Sequence, residues 1–454
     1  MTVARWLSLA LPLLAVLAVG ARDRDRASRA AALLAFVTAG IGIAALHEVA
    51  RLAGWYTFTP VDGAYRGMPV DLWIGWAALW GPLPVLLRRV LPLPLALGLL
   101  LWVDTVAMPA LHPLVHLGPH WLVGEVVGLL LVALPAQLLG RFCADRRHLG
   151  ARTLLQVGVF AILLLWFLPT LAFELGGGSW AGLTGLNRTG LLVVAQLALL
   201  AATPALAAVA EFAVRGGGTP YPWDPPRRLV TTGPYAYLAN PMQLAGVALL
   251  LLTAAVTRSV TLVLAAVSTA AFGAAVAGPH EQSDLRARYG DSWRSYRRQV
   301  RDWWPRWRPY VSGTPAVLWL DDDCGACAAT WRMLARRHPV GLRIRPAREH
   351  QNVLWRAEYV GGDGHTERGV AAVARGLEHV HLGWAVVGWT LRLPGATWLA
   401  QLVTDAMIAP PHPARPQGEP CPTPSNVSLT APSPPSANTA SPASPPAPSP
   451  PPPE

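Results

Sequence analysis

The sequence predicts an all-α polytopic membrane bundle of about nine spans, followed by a small α/β domain and a disordered tail. Three observations predict it. Apolar runs of about the twenty residues that a helix needs to cross a bilayer recur from Trp6 to Gly278. Arginines gather in short clusters between the runs and in one block after them. From Pro410 to the end, Pro, Ser and Ala dominate without periodic hydrophobics, so residues 410–454 cannot bury enough surface to offset chain entropy.

The runs lie near 5–20, 30–47, 70–87, 90–111, 119–140, 153–175, 189–213, 242–257 and 259–278. Basic clusters at Arg22 to Arg29, Arg88 and Arg89, Arg141 to Arg152, Arg215 to Arg228 and Arg286 to Arg308 fall in alternate loops. The positive-inside rule then places the first residue outside and everything after Gly278 in the cytoplasm. The same rule reads the first run as a span and not a cleaved signal peptide, since cleavage would send Arg22 to Arg29 across the membrane. The Ala, Arg, Pro and Gly excess suggests a GC-rich bacterial genome, so the expected location is the inner membrane of a bacterium.

Composition also excludes whole classes. Of the 37 basic residues none is lysine, which removes Schiff-base, pyridoxal-phosphate and P-loop chemistry. The net charge of +11 does not argue for nucleic acid, because the arginines flank apolar spans where anionic headgroups attract them. Four cysteines, two of them in one CxxC, exclude a secreted disulfide framework.

Residues 1–150 form an N-terminal region of about five spans without a specific motif. His47, Glu48, Asp71, Asp104, Glu125 and Glu174 lie in or beside spans, where a charge is costly, and are candidates on that ground alone. His112, His116 and His120 repeat every four residues, but Pro113, Gly118 and Pro119 break the helix that a metal site of that spacing needs.

Residues 151–310 carry the most informative stretch. Leu229-Val-Thr-Thr-Gly-Pro-Tyr-Ala-Tyr-Leu-Ala-Asn-Pro-Met-Gln-Leu-Ala-Gly246 leads into an apolar hairpin closed at Thr257-Arg258-Ser259. After the hairpin comes Glu281-Gln-Ser-Asp-Leu-Arg-Ala-Arg-Tyr-Gly-Asp-Ser-Trp-Arg-Ser-Tyr296, then Val300, Trp304 and Pro305. In order and spacing these segments resemble the membrane methyltransferases related to isoprenylcysteine carboxyl methyltransferase and the phospholipid N-methyltransferases. The resemblance implies an S-adenosylmethionine-dependent transfer to a lipid or isoprenoid-like acceptor, with no metal. Methyl transfer from a sulfonium is an in-line displacement that asks mainly for alignment.

On this reading Gly233, Pro234 and Tyr235 form a tight turn whose backbone approaches the donor. Asn240 and Pro241 start a helix whose free N–H groups favour the donor carboxylate. Glu281 binds the ammonium or sulfonium side, and Tyr289, Trp293 and Tyr296 wall the adenine. Each piece also has a plain structural account: a turn, a helix cap, a solvated partner for arginine. Three positions depart from the family pattern: Asn240 stands where histidine is common, Gln243 where tyrosine is usual and Gln282 at the second glutamate. Asparagine does not titrate near neutral pH, so a general base at 240 is not supplied.

Residues 315–408 read as a small α/β domain. Val317-Leu-Trp-Leu-Asp-Asp-Asp-Cys-Gly-Ala-Cys-Ala-Ala-Thr-Trp-Arg-Met-Leu334 gives a strand, a CxxC loop and a helix opening at the second cysteine. A thiolate at a helix N-terminus is stabilised by unpaired N–H groups, so Cys324 is the candidate nucleophile and Cys327 the resolving thiol. With Gly369 and Leu393-Pro394, this stretch resembles the thioredoxin-like thiol-disulfide oxidoreductases named for an Asp-Cys-Cys pattern, which implies a thiol redox partner. The competing zinc reading needs two further ligands, and His338 and His350 lack paired spacing. The rival functions are a membrane-anchored thiol-disulfide oxidoreductase and a non-enzymatic scaffold.

Overall fold

The computed structural model describes residues 2–407, apart from Pro222, Trp223, Pro225, Asp323 and Cys324; the side chains of Val276, Ala277, His280 and Glu281 also lie outside the described set. The expected disordered tail, with Cys421, falls outside the described residues as well. A helix stands at each of the nine expected places. Six are long and apolar enough to cross a membrane: α1 (Thr2–Arg22), α2 (Arg26–Ala53), α4 (Leu93–Ala110), α5 (Trp121–Ala144), α6 (Leu149–Gly176) and α7 (Arg188–Gly216). The other three, α3 (Val70–Leu86), α8 (Pro241–Thr257) and α9 (Val260–Ala275), are apolar but shorter.

In the N-terminal region α2 is the central helix, and its Ala35, Ala39, Ala44 and Ala50 are fully buried. Small residues let neighbouring backbones approach, which is how helices associate where lipid offers no hydrophobic drive. At Gly75 of α3 a Cβ would sit 1.9 Å from the Ser8 carbonyl oxygen of α1, so only glycine fits that crossing. Within α5 and α6 the helix widens to π turns at Leu129–Ala133 and Leu163–Phe167, each just before a proline, Pro135 or Pro169. A proline removes one N–H from the helical ladder, and the wider turn accommodates the gap.

Most of the ionisable candidates of this region are paired. Arg66 reaches Glu48 at 3.2 Å and Glu174 at 3.5 Å, and Arg5 reaches Asp71 at 2.5 Å. Trp80 donates its indole N–H to Asp104 at 2.9 Å, and His47 Nε2 meets the Arg66 carbonyl at 3.1 Å. Glu125 is buried. His112 and His116 face each other edge-on, and His116 Nε2 lies 3.0 Å from the Thr59 hydroxyl.

The helical hairpin α8–α9 closes at the expected place. Arg258 adopts a left-handed conformation with φ 52°, and Ser259 caps α9 by accepting the Leu262 N–H. After α9 the chain continues into α10 (Gly278–Gln299), which is polar and bends at Gly290, where φ is 53°.

Beyond α10 lies a four-stranded sheet: β1 (Ala316–Leu320), β2 (Leu342–Pro346), β3 (Glu358–Val360) and β4 (Thr366–Arg368), in the order β2-β1-β3-β4. β1 and β2 are parallel and the other pairs antiparallel. Alternation along β1 puts Leu318 and Leu320 into a core with Leu334, Tyr359, Ala372 and Leu377. Helix α11 (Gly325–Ala335) opens within the CxxC, and α12 (Val370–Leu377), α13 (Leu382–Leu391) and α14 (Pro394–Met407) complete the domain. α13 packs on α7: Ala207 and Tyr237 share a cluster with Ala385 and Trp389.

Candidate functional site

The Gly-Pro-Tyr stretch folds as a short 3-10 turn, Gly233–Ala236, all of it buried. Gly233 has φ +61°, a conformation that L side chains rarely adopt, and a Cβ there would lie 2.6 Å from Glu211 Cγ. Both constraints select glycine. Thr232, just before it, donates its hydroxyl to Glu211 Oε2 at 2.8 Å. Tyr235 tilts against Phe212, with ring centroids 5.4 Å apart.

The segment after α10 is laced onto this turn through backbone groups. Tyr310 N–H donates to the Ala236 carbonyl at 2.8 Å, Arg306 N–H to Tyr237 at 3.0 Å, and Ala239 N–H to Arg301 at 2.9 Å. Tyr296 donates its hydroxyl to the Tyr235 carbonyl at 2.9 Å, and Tyr289 to the Pro226 carbonyl at 2.7 Å. Trp293 and Tyr296 are buried together with Val300 and Tyr310. Burial pushes the Tyr296 hydroxyl well above the usual tyrosine range, in keeping with a neutral donor.

Asn240 occupies the position before α8, and Pro241 opens the helix. The Asn240 side chain does not cap it. It donates instead to Asp302 Oδ1 at 3.2 Å, and Arg297 holds the other Asp302 oxygen at 2.5 Å. The first turn of α8 therefore has no cap from Asn240, and Gln243, within that turn, carries a buried amide oxygen without a partner. Gly273 of the α9–α10 run faces that oxygen: a Cβ there would lie 3.1 Å from it and 3.5 Å from Trp303.

Glu281 lies at the end of the first turn of α10, and its side chain is outside the described residues. Its backbone stands between Gly273, which faces Gln243, and Leu285 and Tyr289, which join the aromatic cluster. The described contacts join Ala239 to the cluster of Leu285, Tyr289, Trp293 and Tyr296, and Gln243 to Gly273, eight residues before Glu281.

Sequence reasoning missed Glu211 and its partners. Glu211 is fully buried at the end of α7; Arg375 reaches its Oε1 at 2.5 Å, Arg392 the same atom at 3.0 Å, and Arg215 its Oε2 at 3.1 Å. The available signal was a carboxylate at the polar end of an apolar run, with arginine four residues on. Its other partners are too distant in sequence to infer.

In the C-terminal domain Cys324 lies outside the described residues, while Cys327 is half-buried in the first turn of α11. That helix opens at Gly325, two residues before the expected start. Asp322 pairs with Arg348 at 2.6 Å. His350 is engaged elsewhere, 3.6 Å from Glu358 and edge-on to Trp319. Among the described residues no group of three or more His, Cys, Asp and Glu side chains is arranged to hold a metal ion. A cavity of about 600 Å³ on this domain is lined by His350, Trp355, Arg356, Glu358, Arg368 and Asp405 among others. A second, of about 170 Å³, lies between α6, α7 and α8 and is apolar.

Comparison with known families returns one match: residues 191–292 are similar to the phospholipid methyltransferase family. The matched stretch runs from α7 into α10, and contains Glu211, the Gly233 turn, Asn240, Pro241, Glu281 and Tyr289. No curated protein and no solved structure matches the chain. Together with the apolar helices, the match supports a membrane methyltransferase.

Proposed function

We propose that this protein is an S-adenosylmethionine-dependent methyltransferase acting on a lipid or isoprenoid-like acceptor at the cytoplasmic face of a bacterial inner membrane. The observation that carries the reading is the lacing of the 233–241 turn, which lies inside the stretch that matches the phospholipid methyltransferase family, to the segment after α10.

The residues present fit the donor. Backbone N–H groups at the start of α8 suit its carboxylate, and the orphaned Gln243 amide oxygen suits an N–H donor such as its ammonium or adenine amine. Glu281 supplies the counter-charge to the ammonium or sulfonium, and the half-buried Tyr289, with Trp293 and Tyr296 behind it, borders the adenine. When bound, the sulfonium supplies an activated methyl group that needs no metal. The protein's own share is to hold the turn and α10 fixed so that an acceptor approaches in line. A lipid acceptor reaches the site along apolar surface left exposed on α7 and α9, including Leu192, Leu197, Leu264 and Phe272. Incubating the purified protein with methyl-labelled S-adenosylmethionine and extracted host lipids tests this: label in a lipid fraction is expected, and none in any fraction would end the reading.

One observation favours a second activity. The order β2-β1-β3-β4, with the CxxC at the opening of α11 after β1, supports a thioredoxin-like domain exchanging disulfides with a thiol redox partner. If the spans only anchored that domain, Cys324→Ser would abolish all activity and Glu281→Ala none.

A further inference from the structure

The carboxylate of Glu211 stands between two parts of the molecule. Its Oε1 faces the C-terminal domain, where Arg375 and Arg392 converge on it at 2.5 and 3.0 Å. Its Oε2 faces the turn and accepts from Thr232, while Gly233 rests on its stem. The other end of the turn is tied to the same group of charges. Tyr237, fully buried, donates its hydroxyl to the Glu378 carbonyl at 2.7 Å. The Glu378 side chain in turn pairs with Arg375 and Arg392, each at 3.1 Å. Glu367 adds a third acidic contact to the same two arginines, and Arg215 pairs with Asp363. The turn from Thr232 to Tyr237 is therefore held at both ends by a network whose arginines belong mostly to the C-terminal domain.

A buried charge tolerates little displacement, because moving it off its partners leaves it desolvated and unpaired. A turn seated on such a charge inherits that restraint. We propose that Glu211 is a positioning residue for the donor-binding turn, fixed by Arg375 and Arg392, so that the C-terminal domain completes the methyl-transfer site. The inference rests on the methyltransferase reading above. It makes the domain after residue 315 a structural part of donor binding, whatever chemistry its CxxC performs.

The test uses the full-length protein and measures donor KM, kcat and equilibrium binding of S-adenosylmethionine, with a thermal midpoint for each variant. Glu211→Gln and Arg375→Gln are expected to raise donor KM and Kd about 10- to 100-fold with a smaller change in kcat. Arg392→Lys, which keeps the charge, should stay within a few-fold of wild type. Variants that unfold at lower temperature yet keep the wild-type KM and Kd would overturn the inference and leave the methyltransferase reading intact. A wild-type protein that binds no S-adenosylmethionine would instead overturn that reading itself. Should Arg375→Gln fail to fold, Arg392→Gln decides, since that side chain is partly exposed and touches the same oxygen.

Discussion

In the N-terminal bundle the helix contacts are made largely by groups too small or too apolar to aim at anything: Gly75 against the Ser8 backbone, the buried alanines of α2, Val132 against Gly42. Around residues 232–237 apolar packing, as of Tyr235 on Phe212 and Tyr237 on Trp389, is joined by a set of bonds that end on named polar atoms. Three backbone N–H groups, two tyrosine hydroxyls and a threonine hydroxyl fix the turn and its laced neighbour. Van der Waals packing sets how close helices come, whereas directed hydrogen bonds set where a loop's atoms point. A ligand site needs the second kind of order, and this molecule concentrates it between α7 and the C-terminal domain.

The sharpest way to break the contrast is Gly233→Ala. It adds about 1–3 kcal/mol of backbone strain at φ +61° and drives a methyl group into Glu211, so methyl transfer should fall about 100-fold. Glu281→Ala comes next: loss of a charge-assisted contact to the donor should raise its KM about 10- to 100-fold, while Cys324→Ser leaves methyl transfer unchanged. Both are read in the labelled-donor assay. Tyr296→Phe removes the bond to the Tyr235 carbonyl and should cost about 1 kcal/mol, with a measurable rise in donor Kd. Trp80→Phe in the N-terminal bundle removes the bond to Asp104 at a similar cost, about 1 kcal/mol, but should lower the thermal midpoint without touching Kd.

The smallest effect is one of pH. His379 is half-buried, with Nδ1 at 2.8 Å from the Val340 carbonyl and Nε2 at 2.9 Å from the Tyr359 hydroxyl. The neutral ring satisfies both, donating to Val340 and accepting from Tyr359, and burial lowers its pKa below the ordinary 6.5. A base whose folded pKa is depressed contributes full stability above 6.5 and loses it as pH falls from there toward the folded value. Asp363 and Glu367, both held low by arginines despite burial, lose their contribution further down, as pH falls below their ordinary 3.8 and 4.5. Thermal unfolding of the C-terminal domain should thus shift to lower temperature between pH 7.5 and 5.5, and His379→Gln should flatten that dependence.

Much of this was legible in the sequence. An apolar run of bilayer length leaves the backbone no alternative to a helix, so all nine helices stand where the runs predict. The hairpin closure at Arg258 and the order of strand then helix around the CxxC followed from equally local signals, although the helix opens at Gly325 and not at the expected Cys327. What was hidden depends on partners far apart in the chain. Asn240 turns to Asp302, 62 residues away, and does not cap its own helix; Glu211 meets Arg392 across 181 residues. Neither pairing leaves a periodic trace. Where α9 stops was also obscured, because apolar composition marks a span more plainly than it marks the end of a helix, whereas α3 and α8 match their runs to within a residue.

The hairpin α8–α9 has a consequence for the surrounding lipid. Seventeen residues of α8 rise only about 25 Å, some 5 Å less than a typical hydrocarbon core. If α8 spans the membrane, as the proposed function has it, the bilayer beside it meets the mismatch by thinning or by letting flanking residues snorkel, and Arg258 sits at the tip where snorkelling is easiest. An amphiphile resting in such a dimple has its polar end drawn toward the protein's midplane. The membrane's own deformation would then carry an acceptor part of the way to the turn.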